Sequence, residues 1–215
     1  KFAHIHFPAT KQSADRIFKL GEEKKNIFNV GCPRIDLIKN QLSSNNITIQ
    51  KLEKKVFSTG IGKKFTLSHK FLLVLQHPVT TEYNKSANQI VNTLKAVKKT
   101  GMNAIIMWPN PDAGSSQLSS GIRKFREKNL DLNFFYIKNL PSNDYILLMD
   151  KASCLIGNSS SAIRDGAFIG TPAVNIGTRQ NTREKGRNVL NCSYKTEDIY
   201  NSILIQLKKN KFKKD

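Results

Sequence analysis

The sequence predicts an α/β fold in which a parallel sheet is flanked by helices. Short apolar runs of four or five residues alternate along the chain with segments whose apolar residues recur at helical spacing. The run from Phe71 to Leu75 has no polar interruption, which is typical of a strand that is covered on both faces. Right-handed crossovers would place the carboxyl ends of the strands along one edge, where such sheets bind ligands.

The first part of the chain, residues 1–45, contains a small predicted β-α-β unit. Ala3–Phe7 and Ile27–Gly31 are predicted strands, and Ser13–Leu20 is a predicted helix that ends at Gly21. The unit is too small to form a domain alone, so we expect it to be the end of an N-terminal domain that is otherwise absent. Residues 46–69 are polar and basic, and are expected to be a linker with short helical pieces.

Residues 70–215 carry the clearest pattern and are expected to form one domain. The predicted strands are Phe71–Leu75, Ala104–Trp108, Phe134–Ile137, Ser153–Ile156 and Ala173–Ile176. Helices are predicted around Ile90–Lys99, Ile122–Phe125, Tyr145–Met149 and Ile199–Leu207. Polar loops follow the strands and contain His77, Asn110, Ser159 and Arg179, so we expect these side chains to converge at one edge of the sheet.

Composition limits the class of protein. No apolar run approaches the ~18 residues that a membrane-spanning helix needs, so no membrane association is expected. The formal net charge is +19, but the basic residues are dispersed apart from the tail at 208–214. We therefore favour a compositional origin of the charge over nucleic-acid binding, which stays open as a rival function. Three widely spaced cysteines have neither metal nor redox spacing and fit a reducing cytoplasm.

The stretch from Ile156 to Asp165 is the strongest local signal for a ligand site. A buried strand end is followed by a turn at Gly157, and three serines, Ser159–Ser161, then begin a helix. Backbone N–H groups at such a turn, together with the helix dipole and serine hydroxyls, can bind a phosphate. Asp165 returns to the same side of the helix one turn later, where its carboxylate could accept from a sugar diol. The alternative is an ordinary serine N-cap.

Two further loops carry candidate chemistry. His77 follows a buried strand and precedes Pro78, and it could donate to a phosphate or transfer a proton near neutral pH. A purely structural loop histidine is the alternative. The loop with Asn110, Asp112, Gly114 and Ser115 could hold a base or a sugar, or it could be a plain Asx turn.

Taken together, these motifs resemble the hydrolysing UDP-N-acetylglucosamine 2-epimerases. The resemblance rests on His77–Glu82, Pro109–Ser115, Gly157–Ser161 and Gly170–Gln180, and it extends to His4–Phe7 and Val30–Leu37. It covers essentially the whole chain, in order. It implies a GT-B-type fold of two Rossmann-like domains with the site between them, of which this chain would supply the C-terminal domain and the end of the first.

The resemblance also implies a reaction and a set of binding residues. UDP is eliminated from UDP-GlcNAc to give a glycal, and water then adds with inversion at C2 to release N-acetylmannosamine. Ser159 and Ser160 match the diphosphate binders, and Arg179 matches an arginine of the nucleotide-sugar site. Asp165 stands where the family usually has a ribose-binding Glu that is one methylene longer. No metal and no redox cofactor are implied.

The remaining matches concern the base, the sugar and the leaving group. Asn110 matches an asparagine of the uridine or sugar pocket, in the loop that also holds Asp112, Gly114 and Ser115. Leu140 matches an apolar residue near the base. His77 matches a histidine proposed to act at the phosphate or as an acid or base. The family's proposed catalytic carboxylates belong to the first domain and precede Lys1, so we expect little turnover from this chain alone.

The sequence therefore predicts the C-terminal portion of a cytoplasmic hydrolysing UDP-GlcNAc 2-epimerase. Its expected partners are a UDP-sugar substrate, the missing N-terminal domain and a second copy of itself in a homo-oligomer. A diacetamido UDP-sugar is an equally suitable substrate. A GT-B glycosyltransferase and a basic nucleic-acid-binding module remain as rival functions.

Overall fold

The computed structural model describes residues 3–44, 47–82 and 84–212. The chain divides into two compact units, Lys1–Ser44 and Asn45–Asp215. The first unit contains helices α1 (Lys11–Lys19) and α2 (Pro33–Ser43) and a short 3-10 helix at Lys24–Asn26. The hydroxyl of Thr10 caps α1 by accepting from the amide of Ser13 at 3.2 Å.

The two strands predicted in the first unit are reduced to one isolated bridge. His6 pairs with Ile27 in parallel fashion, and no regular strand includes either predicted segment among the described residues. Phe28 and Val30 are 46% and 65% exposed, so the apolar residues that predicted a buried strand are not covered within this chain. A strand needs a neighbouring ladder to satisfy its backbone, and one bridge does not provide it.

The second unit is built on a seven-stranded sheet in the order β1-β4-β3-β2-β5-β6-β7. Every strand pair is parallel except β1 with β4. The strands are β1 (Gly60–Gly62), β2 (Phe71–Leu75), β3 (Asn103–Met107), β4 (Phe134–Ile137), β5 (Cys154–Gly157), β6 (Ala173–Ile176) and β7 (Val189–Cys192). This confirms the predicted α/β class and the five predicted strands.

Helices cover both faces of the sheet. They are α3 (Ile49–Ser58), α4 (Ser86–Lys99), α5 (Ser115–Glu127), α6 (Ser142–Lys151), α7 (Ser160–Ile163), α8 (Asp165–Ile169) and α9 (Thr196–Leu207). Apolar residues of α4, α5 and α9 join alternate residues of the strands in one core cluster. The opposite face packs against α3, where the rings of Phe57 and Phe135 meet edge to face at 4.8 Å. All five residues of β2 are buried, as expected for a strand covered on both faces.

The structure differs from the predicted linker at 46–69. This segment contains α3 and β1, and both belong to the second unit. Leu52, Val56 and Phe57 are spaced along one face of α3 and are buried there. β1 adds an antiparallel edge strand to β4, with Ile61 opposite Tyr136. The lysines lie on the solvent face of α3. Their abundance made the segment resemble a polar linker with short helical pieces, although its apolar face packs on the sheet.

The strand β7 was not predicted either. It is half-exposed and continues the sheet beyond β6, with Ile176 opposite Cys192. Its sequence, Val-Leu-Asn-Cys, is short and mixed, so periodicity alone does not distinguish it from a loop. Among the described residues, no helix is both long and apolar enough to span a membrane.

Candidate functional site

The candidate site lies where four parallel strands end. β2, β3, β5 and β6 end at Leu75, Met107, Gly157 and Ile176. The residues that follow them within three positions are His77, Asn110, Ser159 and Arg179. Because the four strands are neighbours in the sheet, their loops meet at one edge. Hydrogen bonds join all four of these loops.

The side chain of Asn158 ties the loop after β5 to the loop after β2. Its Oδ1 accepts from the backbone N–H of His77 at 2.7 Å, and its Nδ2 donates to the carbonyl of His77 at 2.9 Å. Asn158 is 1% exposed. The amide thus extends the β2–β5 pairing by one step through a side chain, and it fixes the backbone from which the His77 imidazole projects.

The turn at Gly157 differs from the expected phosphate cradle. The φ angle of Gly157 is +134°, and a Cβ there would lie 2.2 Å from the carbonyl oxygen of Leu75. This close approach lets the amides of Asn158 and Ser159 both donate to that carbonyl, each at 3.1 Å. These two amides are therefore occupied within the protein and do not point at an open ligand site.

Of the three serines, Ser159 is a helix cap, and Ser160 and Ser161 are half-buried. Ser159 accepts from the amide of Ser161 at 3.4 Å and caps α7, which is only one turn long. The hydroxyl of Ser161 also lies 2.6 Å from that of Tyr145. Ser159 is 9% exposed, whereas Ser160 is half-buried and is the more accessible of the two predicted phosphate contacts.

Asp165 begins α8 and is 4% exposed. The helix predicted after the serines is broken at Arg164, whose ψ of −62° separates α7 from α8. Asp165 is therefore in a second short helix rather than on the helix that the serines begin, and the structure covers it with protein.

Arg179 connects the loop after β6 to the loops after β5 and β3. One guanidinium nitrogen donates to the carbonyl of Asn158 at 3.3 Å, and the other lies 3.7 Å from a carboxylate oxygen of Asp112. The neighbouring Gln180 donates to the same Asn158 carbonyl at 2.7 Å and is 1% exposed. The arginine side chain is 28% exposed, so it remains accessible to an anion.

The imidazole of His77 is held as a neutral ring. Its pKa is lowered to about 4, first by burial and then by the charge of Arg179, with the carboxylate of Asp112 acting in the opposite direction. The backbone N–H of Asn110 donates to Nδ1 at 3.4 Å. The neutral ring then carries its proton on Nε2, which makes that nitrogen a hydrogen-bond donor.

The other predicted residues take supporting positions. Gly114 has a φ of +88° and precedes α5, and a Cβ there would lie 3.2 Å from the Pro78 side chain. Ser115 begins α5, and its amide donates to the carbonyl of Asp112 at 3.0 Å. Leu140 follows β4 at the same edge of the sheet and is 6% exposed.

A polar network that the sequence did not predict supports the Arg179 loop. The carboxylate of Glu82 accepts from the hydroxyl of Thr178, from Gln89 and from Tyr194. Partial burial acts to raise the pKa of Glu82, but these hydrogen bonds lower it. Tyr194 also touches the site backbone, since its hydroxyl accepts from the amide of Thr178 at 3.4 Å. Tyr194 follows the unpredicted β7, so no sequence signal indicated it.

A cavity of about 350 Å³ opens among these loops. It is lined by the segment after β2, by Asp112 and by the segment after β6, with the full lining being Pro78, Val79, Thr80, Thr81, Asp112, Thr178 and Arg179. Its size is in the range of small-molecule sites. The fold and this site define a Rossmann-like α/β domain with a polar cavity at the carboxyl ends of its parallel strands.

The comparison with protein families gives one match that spans residues 1–215, to the family described as UDP-N-acetylglucosamine 2-epimerase. The chain belongs to this family. It is 27% identical to the UDP-N-acetylglucosamine 2-epimerase of Neisseria meningitidis over 100% of its length. It is 30% identical to the UDP-N,N'-diacetylbacillosamine 2-epimerase (hydrolyzing) of Legionella pneumophila over 99% of its length. It covers 53% of each, so the chain spans about half the length of the curated relatives that it matches.

Solved structures confirm the fold. The crystal structure of the Neisseria meningitidis UDP-GlcNAc 2-epimerase bound to UDP-GlcNAc matches with a TM-score of 0.72 at 16% identity. The match covers 94% of this chain and 53% of that one. The Methanocaldococcus jannaschii UDP-GlcNAc 2-epimerase matches with a TM-score of 0.68 at 14% identity, over 98% of this chain and 57% of that one.

Proposed function

We propose that the chain is the nucleotide-sugar-binding portion of a hydrolysing UDP-GlcNAc 2-epimerase. In the proposed reaction, a base removes the proton at C2 of the sugar while the C1–O bond breaks and UDP leaves. Water then adds across the double bond of the glycal, with hydroxyl at C1 and hydrogen at C2, and N-acetylmannosamine is released. One observation carries the proposal, namely the junction at Asn158 that joins the His77 and Arg179 loops beside an open cavity.

The charges of the site favour a diphosphate. Arg179 is accessible and its only ion-pair partner among the described residues is Asp112, at the long distance of 3.7 Å. A phosphate that approaches the guanidinium would replace this weak pair with charge-assisted hydrogen bonds. We place the hydroxyl of Ser160 on the same diphosphate, with Ser159 acting mainly through the cap of α7.

We assign His77 a role at the leaving group. A neutral imidazole with its proton on Nε2 can donate a hydrogen bond to a phosphate oxygen. A bound dianionic phosphate would raise the pKa of the ring, because opposite charge nearby favours the protonated form. His77 would therefore supply more positive charge as UDP departs, without carrying that charge in the free protein.

Asn110 and Leu140 are the proposed contacts of the uridine or sugar, and Asp112, Gly114 and Ser115 shape the same loop. Asp165 stays a predicted ribose contact. Because it is 4% exposed without ligand, its carboxylate must become accessible when the ribose binds. The variant Asp165→Asn tests this, since loss of a charged acceptor would weaken binding of UDP more than binding of inorganic pyrophosphate.

We propose that an N-terminal domain outside this chain supplies the catalytic carboxylates. The first unit supports this, because it exposes many large apolar side chains, namely Ile5, Phe7, Phe18, Leu20, Phe28, Val30 and Leu37. Such a concentration of exposed apolar surface is typical of a face that packs against further protein. A homo-oligomer also stays a prediction, which light scattering on the longer protein tests.

The identity of the sugar is a separate question. The Legionella pneumophila relative is named for UDP-N,N'-diacetylbacillosamine. A Campylobacter jejuni relative, named for GDP- or UDP-linked forms of that sugar, is 31% identical over 88% of this chain. We therefore propose a diacetamido UDP-sugar as the alternative substrate. Parallel turnover of the two UDP-sugars by the longer protein decides between them.

Binding of UDP tests the proposed function directly. Calorimetric titration of the chain with UDP should give saturable binding, and Arg179→Ala should weaken it about tenfold or more, as expected for a charge-assisted contact. Arg183→Ala, which removes an exposed arginine four residues further on, is the matched control and should change the affinity less. Absence of saturable UDP binding, or equal effects of the two variants, would contradict the proposal.

Product analysis separates the rival functions. Free N-acetylmannosamine, or its diacetamido counterpart, indicates a hydrolysing epimerase, whereas a glycosylated acceptor indicates a GT-B glycosyltransferase. A nucleic-acid-binding module would instead show RNA affinity that falls steeply with salt and does not depend on Arg179 in particular. We also propose a cytoplasmic location, since the three cysteines are free and the expected substrate is a nucleotide sugar.

A further inference from the structure

A second concave surface lies at the outer edge of the sheet, over β4. Two adjacent cavities of about 430 Å³ and 220 Å³ share Ile61, Arg126 and Tyr136 as lining residues. Together they form a groove over β4, between the edge strand β1 and helix α5. We call this surface the edge groove. Its apolar, aromatic and basic lining includes Ile61, Lys63, Trp108, Arg126, Tyr136 and Lys138.

The edge groove offers aromatic and apolar surface. Trp108 follows β3 and lines the larger cavity, and Tyr136 of β4 lines both. Ile61 is 55% exposed although it faces the groove from β1. Flat apolar rings bind to such surfaces by stacking against or packing edge-on to aromatic side chains. The volume is also sufficient, since drug-sized ligands occupy sites of about 300–1,000 Å³.

The charged side chains that line the edge groove are all basic. Lys63, Arg126 and Lys138 are among its lining residues, and the described lining contains no carboxylate. The guanidinium carbon of Arg126 lies 5.9 Å from the centroid of the Tyr136 ring, a distance at which a cation over an aromatic face is attracted to it. An anionic group in the groove would therefore meet three cations, of which Arg126 is held over an aromatic ring.

Tyr136 adds a polar group without a partner. It is 4% exposed, and its hydroxyl has no hydrogen-bond partner within the part of the chain that the structure describes. Burial raises the pKa of this phenol to about 12, so the hydroxyl keeps its proton and is a donor. An acceptor oxygen that reaches it would remove the cost of a buried, unpaired donor.

We propose that the edge groove is a second binding site, for a small anion that carries a flat aromatic ring. The ring packs on Trp108 and Ile61, the anionic group pairs with Arg126 and Lys138, and an acceptor oxygen reaches the hydroxyl of Tyr136. Neither cavity of the edge groove shares a lining residue with the cavity at Asp112 and Arg179, although Trp108 and Lys138 begin the loops that hold Asn110 and Leu140. The proposal does not depend on the proposed catalytic function.

Anilinonaphthalene sulfonate is a suitable probe, because it combines an aromatic ring system with one negative charge. Trp108 is the single tryptophan of the chain, so quenching of its emission by the probe reports binding at the groove. We expect saturable quenching with one probe per chain. Phenylnaphthylamine, the neutral analogue, should bind about tenfold more weakly, as expected when a charge-assisted contact is lost.

Variants locate the charge that the probe needs. Arg126→Gln and Lys138→Gln should each weaken binding of the sulfonate several-fold, and Arg126→Gln should bring its affinity close to that of the neutral analogue. Arg123→Gln removes an exposed arginine from the same helix and should leave the affinity unchanged. Circular dichroism and the unfolding midpoint establish that each variant is folded.

Three results would overturn the proposal. Equal affinities of the sulfonate and the neutral analogue would show that the groove does not select an anion. Equal effects of Arg126→Gln and Arg123→Gln on the affinity would show that the sulfonate does not bind at the edge groove. Saturating UDP could displace the sulfonate, which would make the groove part of the candidate nucleotide site rather than a second site.

Discussion

Replacing Asn158 with alanine removes the side chain that joins the loops after β2 and β5. The two hydrogen bonds lost measure 2.7 and 2.9 Å, and both end on backbone atoms of His77. Each such bond contributes about 1 kcal/mol net, and a buried group left without a partner costs about 1–3 kcal/mol. We therefore expect Asn158→Ala to lower the free energy of unfolding by about 2–4 kcal/mol.

Urea denaturation followed by circular dichroism measures this change. The backbone carbonyl of residue 158 is retained in the variant, so the contacts of Arg179 and Gln180 with it are not removed directly. Asn143→Ala, at an exposed position on α6, is the matched control and should change stability by less than about 0.5 kcal/mol.

A second background separates the backbone contact from any effect of the imidazole. In a His77→Ala protein the N–H and carbonyl of residue 77 remain, so Asn158→Ala should cost the same there as in the natural sequence. The reasoning is refuted if the loss is below about 0.5 kcal/mol, or if it disappears in the His77→Ala background.

Three further expectations follow from the same site. The pKa of His77 falls from 6.5 in the unfolded chain to about 4 in the fold, so its contribution to stability is complete above pH 6.5 and is lost as the pH falls from 6.5 towards 4. Urea denaturation across this range should show the free energy of unfolding of the natural sequence falling relative to that of His77→Asn. A difference between the two proteins that does not change with pH would contradict this expectation. Arg179→Gln should raise the pKa of His77, as followed by NMR titration, since the positive charge lowers it; a fall would contradict the assignment. Gly177→Ala should destabilise the fold by more than about 2 kcal/mol, because its Cβ would lie 2.0 Å from the Tyr194 ring at a φ of +72°. In a double-mutant cycle of thermal unfolding, Tyr194→Ala should relieve part of that loss. Additive effects of the two substitutions would exclude the clash.

The candidate site illustrates which contacts local sequence can predict. His77, Asn110 and Arg179 were assigned to one edge because each follows a buried apolar run, and parallel strands bring such positions together. The hydrogen bond from Asn110 to His77 and the contact of Arg179 with Asn158 agree with that expectation. The family resemblance was confirmed over the whole chain, whereas the role of each residue stays a prediction.

The amides of Asn158 and Ser159 make contacts that the local motif does not predict. A glycine turn before three serines predicted open amides, but the turn at Gly157 brings the chain so close to β2 that Leu75 accepts from two of them. The partner of these amides is more than eighty positions away in the chain. A local motif predicts that donors are present, but only the packed strands determine whether another carbonyl already uses them.

The sequence by itself determined the α/β class, the positions of the five main strands along the chain, the family and the edge of the sheet at which the polar loops gather. These properties follow from apolar periodicity and from motifs, which are local in the chain. Only the tertiary structure decided that 46–69 joins the sheet, that Asn158 holds His77, that Glu82 and Tyr194 support the Arg179 loop, and that the edge groove exists. Each of these depends on contacts between residues distant in sequence, and such contacts form only when packing brings their elements together.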